Sequence, residues 1–144
     1  MPNDSRLPYI CPMRDSLRTG LTRTACYQTT IDMRARQLKR DVFSTPSMIS
    51  LMERTCTELT EPFLDDNEQT VGIHIDVYHL ASTRIGQSVT VNAAIIEVKG
   101  RKIRYAVDAY NDAGAKIGEG TQQRAVIDTQ RFARAFDQEA NDAG

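Results

Sequence analysis

The chain has 144 residues, of which 40% are hydrophobic and 26% are charged, and its formal net charge is −1. This length and balance are those of one globular domain with a buried core, and they argue against a largely disordered chain. A net charge so close to zero gives no electrostatic reason to expect nucleic acid or an anionic membrane as a partner. No apolar run approaches the ~20 residues that cross a bilayer, so we also expect no membrane span.

The cysteines and the first residues indicate the compartment. Cys11, Cys26 and Cys56 have no spacing typical of a metal site, and their odd number leaves one without a disulfide partner. We therefore expect a reducing, cytoplasmic setting, no structural disulfide and no bound metal. Pro8 and Pro12 interrupt the apolar stretch that a secretory signal peptide needs, so no signal peptide is predicted.

The chain divides into a domain and two short ends. Residues 1–20 combine turn formers and charges without a period, and we expect a flexible N-terminal segment. A single domain is predicted over residues 21–137, followed by a flexible tail over 138–144. Within the domain, the Thr-rich residues 21–31 (LTRTACYQTTI) favour a first strand. Residues 32–41 (DMRARQLKRD) have no clear apolar face and fit either a short surface helix or a loop.

The next stretch, VFSTPSMISLMERTCTEL, predicts one buried helix over residues 45–60. Thr45 is expected to cap this helix and Pro46 to stand in its first turn, where its missing N–H costs nothing. Glu53 borders the apolar stripe, where a carboxylate is costly unless a partner or a reaction uses it. The stripe itself follows from spacings of three and four and consists of Met48, Ile49, Met52, Cys56 and Leu59.

Four stretches with period-two alternation follow the helix and predict four strands. In the first of them, His79 continues the inward-facing set by parity, whereas Gly72 and His74 belong to the opposite face. The residues assigned to the inward face are Val71, Ile73, Ile75 and Val77. Hairpin turns are predicted at Gly100 and Gly114. The later strands are marked by the runs 89–95, 103–109 and 117–127, and a short amphipathic helix with Phe132 and Phe136 is expected after them.

One strand, a long helix and four strands joined by tight turns predict an α+β protein. Only the helix over residues 45–60 is large and apolar enough to cover one face of the sheet. An antiparallel sheet wrapped around one central helix follows, which is the hot-dog fold. Because such a sheet leaves an edge strand and half of the helix poorly covered, we expect a homodimer.

Three side chains are candidates for chemistry: Thr45, Glu53 and His79. Each has a plain structural explanation, as a helix cap, an ion-paired carboxylate and a hydrogen-bonded core histidine. An imidazole facing an acid on the covering helix favours proton transfer instead. Thr45 and Glu53 stand about 12 Å apart along the helix at ~1.5 Å per residue. A site that uses all three therefore requires a substrate that spans them or a second subunit that supplies one.

Three segments resemble the fluoroacetyl-CoA thioesterase family of hot-dog proteins: VFSTPSMISLMERTC, VGIHIDVYHLASTRIGQSVTV and GEGTQQRAVID. The family pattern is a Thr that opens the helix, a Glu eight residues later, a Gly in the next strand and a His seven residues beyond it. Thr45, Glu53, Gly72 and His79 retain both spacings. A last-strand motif, GxGTxxRAVI, adds Arg124.

The resemblance implies hydrolysis of a small acyl thioester, carried by CoA or by a carrier protein, without a cofactor. Glu53 would be the general base or the nucleophile, His79 the proton shuttle, and Thr45 the group that positions the carbonyl or water. The substrate-binding residues implied are Gly72, Phe43 and Arg124. Two alternatives remain open at this point. One is a non-catalytic hot-dog module that binds acyl-CoA, and the other is a hot-dog hydratase or dehydratase.

The segment before the helix departs from the family pattern. The member that prefers fluoroacetyl groups has aromatic residues there, whereas this chain has RARQLKRDVF, with Lys39, Arg40 and a single aromatic residue, Phe43. The basic residues suit an acidic acyl group or the phosphates of CoA, or they form a solvated surface. Pro46 and Ser47 also replace the Gly–Phe of the family.

Overall fold

The structure is a computed structural model, and it describes residues 16–143. Cys11 and residues 1–15 of the segment predicted to be flexible lie outside the described residues. The end of that segment packs on the domain, because Leu17 is buried in the core and the N–H of Gly20 donates to the carbonyl of Ile95 at 2.9 Å.

The elements in chain order are β1 Thr22–Gln28, α1 Thr45–Thr60, β2 Glu68–His79, β3 Ser88–Lys99, β4 Lys102–Asn111, β5 Lys116–Asp128 and α2 Thr129–Ala143. Within the described residues, the five strands form one antiparallel sheet in the order β1-β3-β4-β5-β2. Helix α1 packs across one face of this sheet, against β1, β2, β3 and β4. This arrangement confirms the predicted α+β hot-dog fold.

The sequence explains where α1 begins and which face it buries. Met48, Met52, Cys56 and Leu59 are buried as their spacing predicts, whereas Ile49 is only half-buried. The predicted cap is wrong by one residue, because Ser44 holds the extended cap conformation and its Oγ accepts from the N–H of Ser47 at 3.2 Å. Thr45 is instead the first helical residue, which leaves its hydroxyl available for another partner.

Strand β2 contains a bulge that changes the predicted faces. Gly72 pairs with Arg124 and His74 with Gln123, so Ile73 is an extra residue without a partner on β5. The side chains therefore change faces at Ile73. The residues on the helix side are Glu68, Thr70 and Gly72 before the bulge and Ile75, Val77 and His79 after it. The prediction that Val71 and Ile73 share the inward face with His79 is wrong, and so is the outward placement of Gly72.

Strand β5 contains a similar irregularity. Ala109 pairs with Gly118 and Tyr110 with Lys116, which leaves Ile117 without a partner on β4. The buried positions after it are Gly118, Gln122, Arg124 and Val126, so the even-numbered residues of this stretch face the helix. Thr121, Ala125 and Ile127, which belong to the run that predicted this strand, lie on the other face and are only half-buried. This register brings two polar side chains into the interior.

The chain ends in helix α2, which continues directly from β5 and runs to Ala143, through most of the segment predicted as a tail. Phe132 and Phe136 stack on its surface with ring centroids 6.5 Å apart. Between β1 and α1 the chain is mainly loop, with one short 3-10 turn at Ile31–Met33. None of the helices in residues 16–143 is long and apolar enough to cross a bilayer.

Candidate active site

The last residue of β2 meets the first residue of α1. Nδ1 of His79 lies 2.7 Å from Oγ1 of Thr45, and the tautomer of the ring decides which of the two donates. The bond is possible because Ser44 caps the helix, which leaves the Thr45 hydroxyl available, and because His79 lies on the helix side of β2. Two residues predicted to act together are thus in direct contact.

The surroundings of His79 favour a neutral imidazole. Its ring lies edge-on to the ring of Phe43, with centroids 6.5 Å apart and planes at 81°, and Phe43 is itself buried. The second ring nitrogen, Nε2, is buried and has no hydrogen-bond partner among the described residues. Burial lowers the pKa of His79 below its usual value of 6.5. The ring is therefore mostly unprotonated at neutral pH and has one nitrogen free for a further partner.

A cleft of about 610 Å³ opens beside this pair. Thr45, His79 and Phe43 contribute to its wall, together with Arg34 and Arg36 from the loop before α1. The volume is within the range of small-molecule sites. The carboxylate of Asp32 also lines the cleft, so two arginines against one acid leave its wall with a net positive charge, which favours ligands that carry negative charge. The basic residues of this loop expected to suit an anionic ligand were Lys39 and Arg40, whereas those that line the cleft are Arg34 and Arg36.

Glu53 belongs to a second cluster, farther along α1. Its Oε2 accepts from Nη1 of Arg124 at 3.4 Å. The Arg124 side chain is only 7% exposed, whereas that of Glu53 is 37% exposed, so the carboxylate connects a buried charge to solvent. Arg124 also donates to Thr70 twice, from Nε to Oγ1 at 2.9 Å and from Nη2 to the carbonyl oxygen at 3.2 Å. Its contacts are thus with protein groups, and it does not line the cleft beside His79.

Gly72 completes this cluster. A Cβ placed on Gly72 would lie 2.6 Å from Oε2 of Glu53 and 3.6 Å from Nη1 of Arg124. No larger residue fits there unless the carboxylate moves. The absence of a side chain at this position therefore lets Glu53 lie directly against the backbone of β2.

The predicted site residues thus form two groups on one face of the sheet. Thr45, His79 and Phe43 form the first group, and Glu53, Gly72 and Arg124 form the second. Within the described chain no hydrogen bond or ion pair joins the Glu53 carboxylate to His79.

Two residues of the second cluster were not predicted from the sequence: Thr70 and Gln122, which contact Arg124. The available signal was spacing. Gln122 stands two residues before Arg124 and so shares its face of β5, and Thr70 stands two residues before Gly72, which pairs with Arg124. In residues 16–143 no group of three or more His, Cys, Asp or Glu side chains is arranged to hold a metal.

A sheet wrapped around one helix, with a hydroxyl–imidazole pair at the helix start and a carboxylate two turns on, defines a hot-dog protein of the thioesterase type. The sequence model of the family FlK, described as fluoroacetyl-CoA-specific thioesterase, matches residues 27–130. The chain belongs to this family. Membership confirms the resemblance to this family that was seen in the sequence.

Individual relatives agree with this assignment. The fluoroacetyl-CoA thioesterase of Streptantibioticus cattleyicolor is 40% identical over 92 residues. These residues are 64% of this chain and 66% of that relative, so the match spans just under two thirds of the relative's length. A solved structure of the fluoroacetyl-CoA thioesterase FlK is 31% identical, with a TM-score of 0.79 over 85% of this chain and 96% of that one. A thioesterase superfamily member from Thermus thermophilus is 26% identical, with a TM-score of 0.80 over 88% and 97%.

Proposed function

We propose that this protein is an acyl-CoA thioesterase that hydrolyses a small acyl thioester to the free acid and CoA. The 2.7 Å contact between Thr45 Oγ1 and His79 Nδ1 beside the 610 Å³ cleft carries this proposal. The family relationship supports the substrate class, because relatives at 40% and 31% identity are fluoroacetyl-CoA thioesterases. The reaction requires no cofactor, since water and the thioester supply all the atoms of the products.

Glu53 is the general base or the nucleophile in this proposal. As a base, it takes a proton from water while the water oxygen bonds to the carbonyl carbon of the thioester. As a nucleophile, its own oxygen forms that bond, and water then opens the resulting anhydride. In both routes the C–S bond breaks and the CoA thiolate takes up the proton that water has lost. The 37% exposure of Glu53 supports either role, because substrate and water can reach its carboxylate.

His79 and Thr45 serve the proton transfer and the carbonyl. A pKa lowered by burial keeps His79 neutral at pH 7, so the ring can accept a proton and pass it to the departing sulfur. Thr45 holds one ring nitrogen and thereby directs the other, Nε2, which is free of protein partners in the described residues. The same hydroxyl lies on the cleft wall, where it is suited to orient the carbonyl oxygen or the attacking water.

The distance between the two groups makes the oligomeric state part of the proposal. Eight residues of helix separate Thr45 from Glu53, about 12 Å at ~1.5 Å per residue. One chain therefore brings them to one reaction centre only if the substrate spans the gap. A homodimer offers the other solution, in which the carboxylate of one subunit and the imidazole of the other share a site.

Strand β2 supports the dimer because it is an edge strand of the described sheet. It is 12 residues long and exposes three large apolar side chains, those of Ile73, Ile75 and Tyr78. Leu80, the residue just after the strand, is also exposed. A long apolar edge strand is normally covered, and a second copy paired antiparallel to β2 would cover it. Antiparallel pairing sets the Gly72 half of one strand beside the His79 half of the other. Glu53 lies under the first half, so the two groups come from different subunits.

A thioesterase assay tests the proposed activity. The purified protein is mixed with acetyl-, fluoroacetyl-, propionyl- and succinyl-CoA and a thiol reagent, and CoA release is followed. We expect release above background with at least one substrate, and faster release from succinyl-CoA if Arg34 and Arg36 bind a carboxylate. Glu53→Gln should lower kcat at least 10²-fold, in the range of general-base effects. Glu58→Gln on the same helix is the matched control, because Glu58 pairs only with Arg23 and Arg54 at the surface among the described residues.

The same assay contradicts the proposal in two ways. Binding of acyl-CoA without any release of CoA would make the protein a binding module. Addition of water to an enoyl-CoA without CoA release would make it a hydratase. A Glu53→Gln variant with a near-normal rate would remove the assigned role of Glu53 while leaving the activity itself standing.

A further inference from the structure

Gln122 is a polar side chain in the middle of the core. It lies on the helix side of β5, opposite Ile75 on β2 and Tyr105 on β4, and it is only 1% exposed. Its Oε1 accepts from Nη1 of Arg124 at 3.3 Å. The same Nη1 donates to Oε2 of Glu53 at 3.4 Å. Gln122 is thus one step from the candidate catalytic carboxylate, through a single nitrogen atom.

The contact with Arg124 fixes the orientation of the carboxamide. If the amide were turned over, its NH2 group would face the guanidinium and two donors would oppose each other. The NH2 group therefore lies on the other side, where Nε2 is buried without a partner among the described residues. A buried unpaired donor lowers stability. Met or Leu would fill the same space without this cost, and what Gln adds at this position is the hydrogen bond that its oxygen accepts from Arg124.

We propose that Gln122 is a positioning residue for Glu53 and acts through Arg124. This inference rests on the proposed function, in which Glu53 attacks the thioester or activates water. Thr70 on β2 holds Nε and Nη2 of Arg124, and Gln122 on β5 holds Nη1. The guanidinium is therefore fixed from two strands, with Nη1 aimed at Glu53. Without Gln122, Nη1 keeps Glu53 as its one acceptor, and the guanidinium is held from one strand only, by its two bonds to Thr70.

Kinetic constants distinguish positioning from packing. Gln122→Met keeps the length of the side chain and removes the acceptor. We expect kcat to fall about tenfold while KM stays within twofold, because the change misplaces a reacting group and leaves the cleft intact. Gln122→Glu restores an acceptor oxygen and should turn over at least threefold faster than Gln122→Met. Gln123→Met is the control, since Gln123 is the next residue on β5 and faces the other side of the sheet.

A double-mutant cycle tests the coupling without relying on activity. The urea midpoints of Gln122→Met, Glu53→Gln and the double variant are compared with those of the same cycle built with Gln123→Met. We expect the first cycle to be non-additive, because both residues act on Arg124, and the control cycle to be additive. Additive midpoints in the first cycle, or a Gln122→Met variant with a wild-type kcat, would overturn the inference. A wild-type protein that releases no CoA would overturn the proposed function instead, and the cycle would still report on Gln122.

Discussion

Thr45 Oγ1 and His79 Nδ1 lie 2.7 Å apart although 34 residues separate them in the chain. The contact joins the first residue of the central helix to the last residue of the edge strand β2. Helix start and strand end therefore meet at one corner of the cleft. Because one ring nitrogen is bound to the hydroxyl, the direction of the other is set by the fold and not by the substrate.

The hydroxyl of Thr45 can be removed without a change of side-chain shape. We expect Thr45→Val to lower kcat on the order of 10²-fold, since the imidazole loses the group that orients it. Thr45→Ser keeps the oxygen and should stay within tenfold of the wild type. The thermal midpoints should be nearly equal, because Ser44 and not Thr45 caps the helix. Steady-state kinetics with an acyl-CoA substrate measure the difference, and equal rates for the Val and Ser variants would contradict it.

Gly72 tests the placement of Glu53. The Cβ of Gly72→Ala would stand 2.6 Å from Oε2, so the carboxylate must move. Because that atom is the end of a flexible side chain, we expect a loss of stability below about 1 kcal/mol, as for most tolerated substitutions. The kcat should nevertheless fall at least tenfold. His74→Ala is the control, since His74 is exposed on the same strand, and a Gly72→Ala enzyme with normal turnover would show that Glu53 need not lie there.

Much of the fold could be predicted from residue periodicity. Buried residues recur about every 3.6 positions in a helix and every 2 in a strand, so the apolar residues of α1, β3 and β4 indicated these elements directly. Val89, Val91, Ala93 and Ile95 are all buried as the alternation requires. Prediction failed where the period itself breaks. The extra residue at Ile73 leaves no mark in composition, yet it changes the face of every residue before it relative to His79.

The candidate site was predictable in part for the same reason. The spacings of Thr45, Glu53 and His79 identified the residues, because spacing along a chain is visible in the sequence. The two clusters into which they separate were not visible, since these depend on register. Gln122 was missed because the run 117–127 marked a strand without showing which of its faces is buried, and the even-numbered residues after the irregularity at Ile117 face inward. The buried polar pair Gln122 and Arg124 can therefore be predicted only once the register of β5 is known.

The titration of His79 provides a test of its burial. Burial lowers the pKa of His79, so we expect its ring signals in NMR to titrate below pH 6.5. The neutral form is the one the fold favours, so protonation of His79 opposes folding. Its contribution to the free energy of unfolding is present above pH 6.5 and is lost as the pH falls through the lowered pKa. His79→Gln should remove this part of the pH dependence, and titration of His79 at or above pH 6.5 would contradict the burial argument.

The edge of β2 makes the dimer testable with two matched isoleucines. Ile73 and Ile96 each occupy the extra position of an irregular strand, and they are 48% and 41% exposed. Only Ile73 lies on the edge strand; Ile96 lies on β3, between β1 and β4. We expect the wild type to sediment at twice the 16.1 kDa mass of the chain. Ile73→Lys should shift it toward the single-chain mass, because two lysines near a two-fold axis repel each other, and Ile96→Lys should not.

Activity must follow the same shift if the subunits share a site. Ile73→Lys should lose CoA release in proportion to the fraction of monomer, and raising the protein concentration should restore both the mass and the rate. Analytical ultracentrifugation and the thiol assay over one concentration series measure the two together. A chain that is monomeric and fully active would leave Glu53 and His79 to act within one subunit, with the substrate spanning the distance between them.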